Sequence, residues 1–210
     1  RNEEQTAAGR GGTVGPWGRS LGLSSPPSPR SGSASSGWSR VPAPPLARRP
    51  TVRFMLALPA HLIALGFGSG LSPKAPGTVG TLWAWLAWLV LSLWLNPLQL
   101  GLLIAAGTLV GWWACTVTAD HLGVLDPGNI VWDEVVAFWL VLWLVLPTGW
   151  LGQLIAFALF RFFDAVKPGP VRWADNAFHG SGWRGGFGIL LDDFVAASCT
   201  LLVIALWHAW

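Results

Sequence analysis

No formal charge occurs between Lys74 and Asp120, and none between Glu134 and Arg161. A chain with two such stretches cannot clothe itself in polar groups, so it must bury them in its own core or in lipid. They break into runs of near-membrane length. Val79–Leu95 is followed by the turn signal Asn96-Pro97, Leu98–Ala119 is a second run, and Phe194–Trp210 is the last. Each approaches the ~20 residues that cross a bilayer core, the first and last a little short. The stretch Val135–Phe163 differs, because "PTG" at Pro147–Gly149 interrupts it where proline and glycine favour a turn. Its limbs are too short for full spans, so the expectation is a hairpin that returns its flanking acids to one side. The pattern predicts an all-α protein: a compact helical bundle with membrane-embedded helices, one apolar segment being the broken hairpin.

Composition agrees. Charged residues are 11% of the chain, against about 25% in soluble domains. The charge is also divided. Residues 1–54 hold eight arginines and two glutamates, net +6, whereas residues 55–210 hold five bases and eight acids, net −3. The isoelectric point near 9.5 therefore comes from the first quarter and does not argue for a nucleic-acid partner. That quarter is rich in Gly, Ser, Pro and Arg with no apolar period, so it is expected to be a disordered extension. Met55 is the sole methionine, and the expectation is a working protein of residues 55–210, with an Arg/Ser-rich transit peptide as the rival account of the extension. Cys115 and Cys199 lie in apolar runs without metal-ligand spacing and read as buried small hydrophobes. Tryptophan, at 16 residues, fits an interfacial belt and core filling equally.

The charges of residues 55–210 gather in a few connecting stretches. Asp133-Glu134 precedes the helix from Val135, and Asp192-Asp193 is expected to head a helix from Phe194. Acids at helix N-termini are favoured by the macrodipole, so boundary duty would explain each pair. The whole set suggests more. In "RFFDAVK", Arg161 and Asp164 are neighbours on one helix face, Pro168 stops the helix, and "KPGPVR" holds Lys167 and Arg172 in a stiff bend. Carboxylates and bases on one membrane face suit a hard cation with an anionic substrate, since Mg²⁺ binds through one or two carboxylates plus phosphate oxygens. The stretches "GSGLSPKAPGTVGT" and "GGFG" would serve as anion-cradling backbone or as ordinary turns. The residues alone leave both readings open.

Five pieces together resemble the phosphatidylglycerophosphatase A family: "GFGSGLSPKAPGTVGT", "LGVLDPGNIVWDEVVAFW", "LPTGW", "FRFFDAVKPGPVRWAD" and "GGFGILLDDFVAA". They follow the family's order and cover nearly all of residues 60–200. The resemblance implies a Mg²⁺-dependent lipid phosphatase acting on the terminal phosphomonoester of phosphatidylglycerophosphate, on a compact helical scaffold. Carried over by position, the acids are Asp126, Asp133, Glu134, Asp164, Asp192 and Asp193. The bases are Arg161, Lys167 and Arg172, with Lys74 a weaker match. Asp120 and Asp175 match less well. The connection holding His179 and Arg184 is longer than in familiar relatives, which weakens both as site residues.

The expected mechanism is metal-assisted hydrolysis by water. Asp133, Asp164, Asp192 and Asp193 would hold Mg²⁺, Glu134 or Asp126 would act as base, and Lys167 with Arg161 or Arg172 would stabilise the phosphoryl group. His61, His121, His179 and His208 are read as structural. The partners implied are the bilayer and a phospholipid. The expected place is a bacterial inner membrane, multi-pass, with the Lys/Arg-bearing loops and site facing the cytoplasm. The rivals are another Mg²⁺-dependent lipid-phosphate hydrolase and a small transporter or ion-binding protein, whose acids would sit within spans rather than at their ends.

Overall fold

The structure, a computed structural model, describes residues 49–123, 127–177 and 182–209. Among these residues every regular element is helical. Two short helices, α1 (Val52–Ala57) and α2 (Pro59–Ala64), lead into a 3₁₀ stretch at Gly66–Leu71. Helix α1 thus starts inside the segment expected to be extension, with the Thr51 side chain capping it by accepting from Phe54 N–H. Residues 1–48 lie outside the described residues.

The first apolar run becomes α3 (Pro76–Trp94) and the second α4 (Pro97–Leu122). The Asn96-Pro97 signal works as a capping box. Asn96 Oδ1 accepts from Gln99 N–H at 3.0 Å, Gln99 Oε1 accepts from Asn96 N–H at 2.9 Å, and Pro97 opens the helix. Gly123, at φ 66°, closes α4 in the left-handed region that suits glycine.

The hairpin forms as expected. Helix α5 (Trp132–Leu144) and helix α6 (Trp150–Val166) are joined across Pro147–Gly149. Lys167 caps α6 at φ 45° and Pro168 blocks its continuation. After α7 (Gly169–Ala177), helix α8 runs from Gly182 to Ala209. This corrects one expectation. Asp192 and Asp193 do not head a helix from Phe194; they lie about three turns inside α8.

Helix α5 forms the centre, packed against α3, α4 and α8. Val135, Val136, Ala137, Phe138, Val141 and Leu142 are buried there. Tryptophan serves both roles left open above. Trp132 and Trp139 are core residues whose indole N–H groups donate to Gly107 O at 2.9 Å and Ala84 O at 2.8 Å. Trp94 and Trp207 are about four-fifths exposed near the ends of α3 and α8, as an interfacial belt requires.

Helices α3, α4 and α8 are each long and apolar enough to cross a membrane, and only 28–39% of their most apolar windows is buried inside the protein. Leu86, Leu93, Leu98, Leu102 and Leu109 are all more than half exposed. Water would penalise such a surface by ~25 cal/mol per Å², and a bilayer does not.

Candidate active site

Three helices bring their charges together, and a fourth packs against them. The first turns of α3 supply Gly77 and Thr81, the start of α5 supplies Asp133 and Glu134, the end of α6 supplies Arg161, Asp164 and Lys167, and α8 supplies Asp192 and Asp193. The hairpin makes this possible, because the start of α5 and the end of α6 return to the same end of the bundle.

Arg161 is the hub. Its Nη1 lies 2.8 Å from Glu134 Oε2 and also pairs with Asp164 Oδ2, the neighbour expected from the i,i+3 spacing. Lys167 Nζ lies 2.7 Å from Asp192 Oδ2, so the left-handed cap delivers its ammonium across to α8. The buried Thr81 hydroxyl stands 2.8 Å from Glu134 Oε2. Gly77 belongs to the same contact, since a Cβ there would overlap Glu134 Oε1. Asp193 is 3% exposed and lies within electrostatic reach of Asp164, Asp133, Asp192 and Glu134.

Five carboxylates therefore gather around two cations, with Glu134, Asp164 and Asp192 paired to Arg161 or Lys167, an excess of negative charge in a largely buried place. Burial pushes the carboxyl of Glu134 up to about 7. The Arg161 charge opposes that rise, Asp164 adds to it, and the bonds from Thr81 and Arg161 oppose it. A carboxyl poised there is suited to proton transfer near neutral pH. Arg161 keeps one donor in reserve: its buried Nε–H has no acceptor among the described residues. A buried donor of that kind calls for an acceptor, and an oxyanion would supply one.

The donor set suits a hard divalent cation in charge and in element. Among the described residues no three His, Cys, Asp or Glu side chains converge tightly enough to hold a metal ion between them. Mg²⁺ needs no such cage, because it is bound through one or two carboxylates, several waters and substrate phosphate. The residues present fit that mode.

The other expected residues are placed as follows. Asp126 and His179 lie outside the described residues. Arg172 is exposed on α7, and Lys74 is exposed before α3 with no ion pair to the cluster. His61 and His121 bond each other, Nε2 to Nδ1 at 2.9 Å, while His61 Nδ1 meets Phe54 O, which supports a structural role. A cavity of about 830 Å³ lies elsewhere, between the α5–α6 turn and the C-terminal half of α8, and none of the cluster's charges lines it.

A family model described as phosphatidylglycerophosphatase A matches residues 62–208. The chain belongs to the phosphatidylglycerophosphatase A family. It is 40% identical to the phosphatidylglycerophosphatase A of Escherichia coli K12 over 75% of this chain and 89% of the relative. It is 39% identical to that of Haemophilus influenzae over 77% of this chain and 96% of the relative. A candidate phosphatidylinositol-3-phosphatase of Bacteroides thetaiotaomicron is 40% identical over 69% of this chain and 90% of the relative. No solved structure matches the chain.

Membership of the phosphatidylglycerophosphatase A family decides between the readings left open by the residues. Asp192 and Asp193 do sit inside an apolar span, which was the mark of an ion carrier. The family makes the protein a phosphatase, and Lys167 pairs with one of these acids, Asp192. Sequence reasoning missed Thr81 and Gly77. The string "PGTVGT" contains both, but it read as a turn or an anion loop running into an apolar helix, because the partner Glu134 is 53 residues beyond Thr81.

Proposed function

We propose that the protein hydrolyses the terminal phosphomonoester of phosphatidylglycerophosphate to phosphatidylglycerol and inorganic phosphate. The observation that carries this reading is the cluster itself. In a member of this family, it sets two cations, one with a spare buried donor, beside five carboxylates, two of them inside the apolar helix α8. Arg161 and Lys167 would bind the phosphoryl oxygens, Arg161 Nε–H being a donor already available. Glu134, with its raised pKa, would take the proton of the attacking water and pass it on towards the leaving oxygen. Asp133, Asp164, Asp192 and Asp193 are the residues that would hold Mg²⁺. Bound there, Mg²⁺ would neutralise phosphoryl charge and acidify the attacking water. The exposed Arg172 and Arg184 near this end support a cytoplasmic orientation in a bacterial inner membrane.

The test is phosphate release by the purified full chain in detergent. We expect release from phosphatidylglycerophosphate, its loss on chelation and its return with Mg²⁺. The Bacteroides relative favours one second reading, a lipid phosphatase with a different head group. Phosphatidylinositol 3-phosphate and phosphatidic acid therefore belong in the same assay. Faster release from either would replace the substrate proposed here, and undiminished release under chelation would overturn the metal requirement.

A further inference from the structure

We infer that Thr81 is a positioning residue of the active site: its buried hydroxyl fixes the Glu134 carboxylate, and through it the Arg161 guanidinium, in the orientation that catalysis uses. The inference rests on the phosphatase reading only in taking Glu134 and Arg161 as working groups.

A threonine in an apolar helix commonly turns its hydroxyl back to the carbonyl four residues earlier. Thr81 Oγ1 is within 2.9 Å of Gly77 O, so that ordinary role is available. It does not account for the second contact, 2.8 Å to Glu134 Oε2. A hydroxyl has one hydrogen and donates to one acceptor at a time. The Gly77 carbonyl sits in the first turn of α3, where the helix ladder already gives it a donor. The Glu134 carboxylate is a charge removed from water and depends on every donor it meets. The hydroxyl is therefore worth more to Glu134.

The contact also reaches a third helix. Arg161 Nη1 lies 2.8 Å from Glu134 Oε2 and 3.4 Å from Thr81 Oγ1, so the three groups form a closed triangle linking α3, α5 and α6. Glu134 Oε1 rests over Gly77, where a side chain would displace it. Both oxygens of Glu134 are thus located by the first turns of α3. A guanidinium is planar and rigid, so holding Nη1 also constrains the direction of the Nε–H, which has no acceptor among the described residues. Thr81 acts at one remove. It need not touch the substrate to decide where a phosphate oxygen would be met.

Thr81→Val keeps the shape and removes the hydroxyl, and Thr81→Ser restores it. We expect Thr81→Val to lower kcat about 10- to 100-fold with KM changed by less than about twofold, the signature of misplacement rather than weakened binding. Thr81→Ser is expected to stay within about threefold of the wild type. A second readout needs no turnover: hydrogen exchange at the Arg161 Nε–H, followed by ¹⁵N NMR in detergent. Exchange is expected to quicken about tenfold or more in Thr81→Val and to return towards wild type in Thr81→Ser. Wild-type kcat in Thr81→Val, a Thr81→Ser enzyme as slow as Thr81→Val, or unchanged Nε–H exchange in all three proteins would overturn the inference. A wild type inactive on every lipid phosphate would sink the phosphatase reading instead, and the exchange comparison would still decide the role of Thr81.

Discussion

Replacing Asp193 with asparagine is expected to cut phosphate release by about 10³-fold, equivalent to about 4 kcal/mol of transition-state stabilisation, while leaving the folded protein no less stable. The two halves of that result have one origin. Asp193 is nearly inaccessible, inside α8, and its electrostatic neighbours are four other acids. In the folded protein without a cation, such a charge is crowded by its own kind. Asparagine keeps the shape and removes part of the repulsion, so the unfolding midpoint should hold or rise. A cation held by the cluster would lose a ligand charge, and activity would fall by several kcal/mol of lost electrostatic stabilisation. Phosphate release and thermal unfolding measured on the same preparation check both halves. Activity within tenfold of wild type would return Asp193 to a structural part, and a steep loss of stability would show that the charge contributes to the fold.

Arg161→Met is expected to act in the opposite sense on stability. The guanidinium compensates Glu134 and Asp164, whose side chains are only 12% and 13% exposed. Removing one partner of a buried ion pair costs about 3–5 kcal/mol, because the other charge stays behind without compensation. In a protein of this size that corresponds to a fall of roughly 6–20 °C in melting temperature. Activity should be lost as well, since the donor proposed to bind the phosphoryl group is gone. The double variant Arg161→Met with Glu134→Gln separates the effects. It should recover much of the stability and none of the turnover. Full stability in the single variant would show that solvent already screens this pair.

The hairpin was legible because Pro147 and Gly149 break an otherwise uniform apolar run, and local chemistry of that kind survives into the fold. The Arg161–Asp164 pair was legible for the same reason, being set by helix geometry alone. The start of α8 was not. Gly185, Gly186 and Gly188 read as a turn because glycine costs roughly 1 kcal/mol in a helix interior, yet all three lie within α8. At Gly186 the cause is visible, since a Cβ would collide with the Thr116 hydroxyl of α4. Close approach of two helices outweighs local propensity, and no inspection of α8 by itself reveals the partner. Thr81 was hidden in the same way, its role belonging to a contact between helices far apart in the chain.

The hairpin has one more consequence, and it is a matter of parity. Helix α3 begins at the charge cluster, and α4 comes back to it, with Asp120 Oδ1 accepting from the Gly182 N–H at the start of α8. The hairpin leaves and returns to the same end, and α8 departs once more. With α3, α4 and α8 as the crossings, their number is odd. A cysteine at exposed position 74 and one appended after Trp210 should therefore react with impermeant label from opposite faces of sealed vesicles. Labelling of both from one face would mean an even number of crossings. Two tags thus suffice to orient the whole bundle.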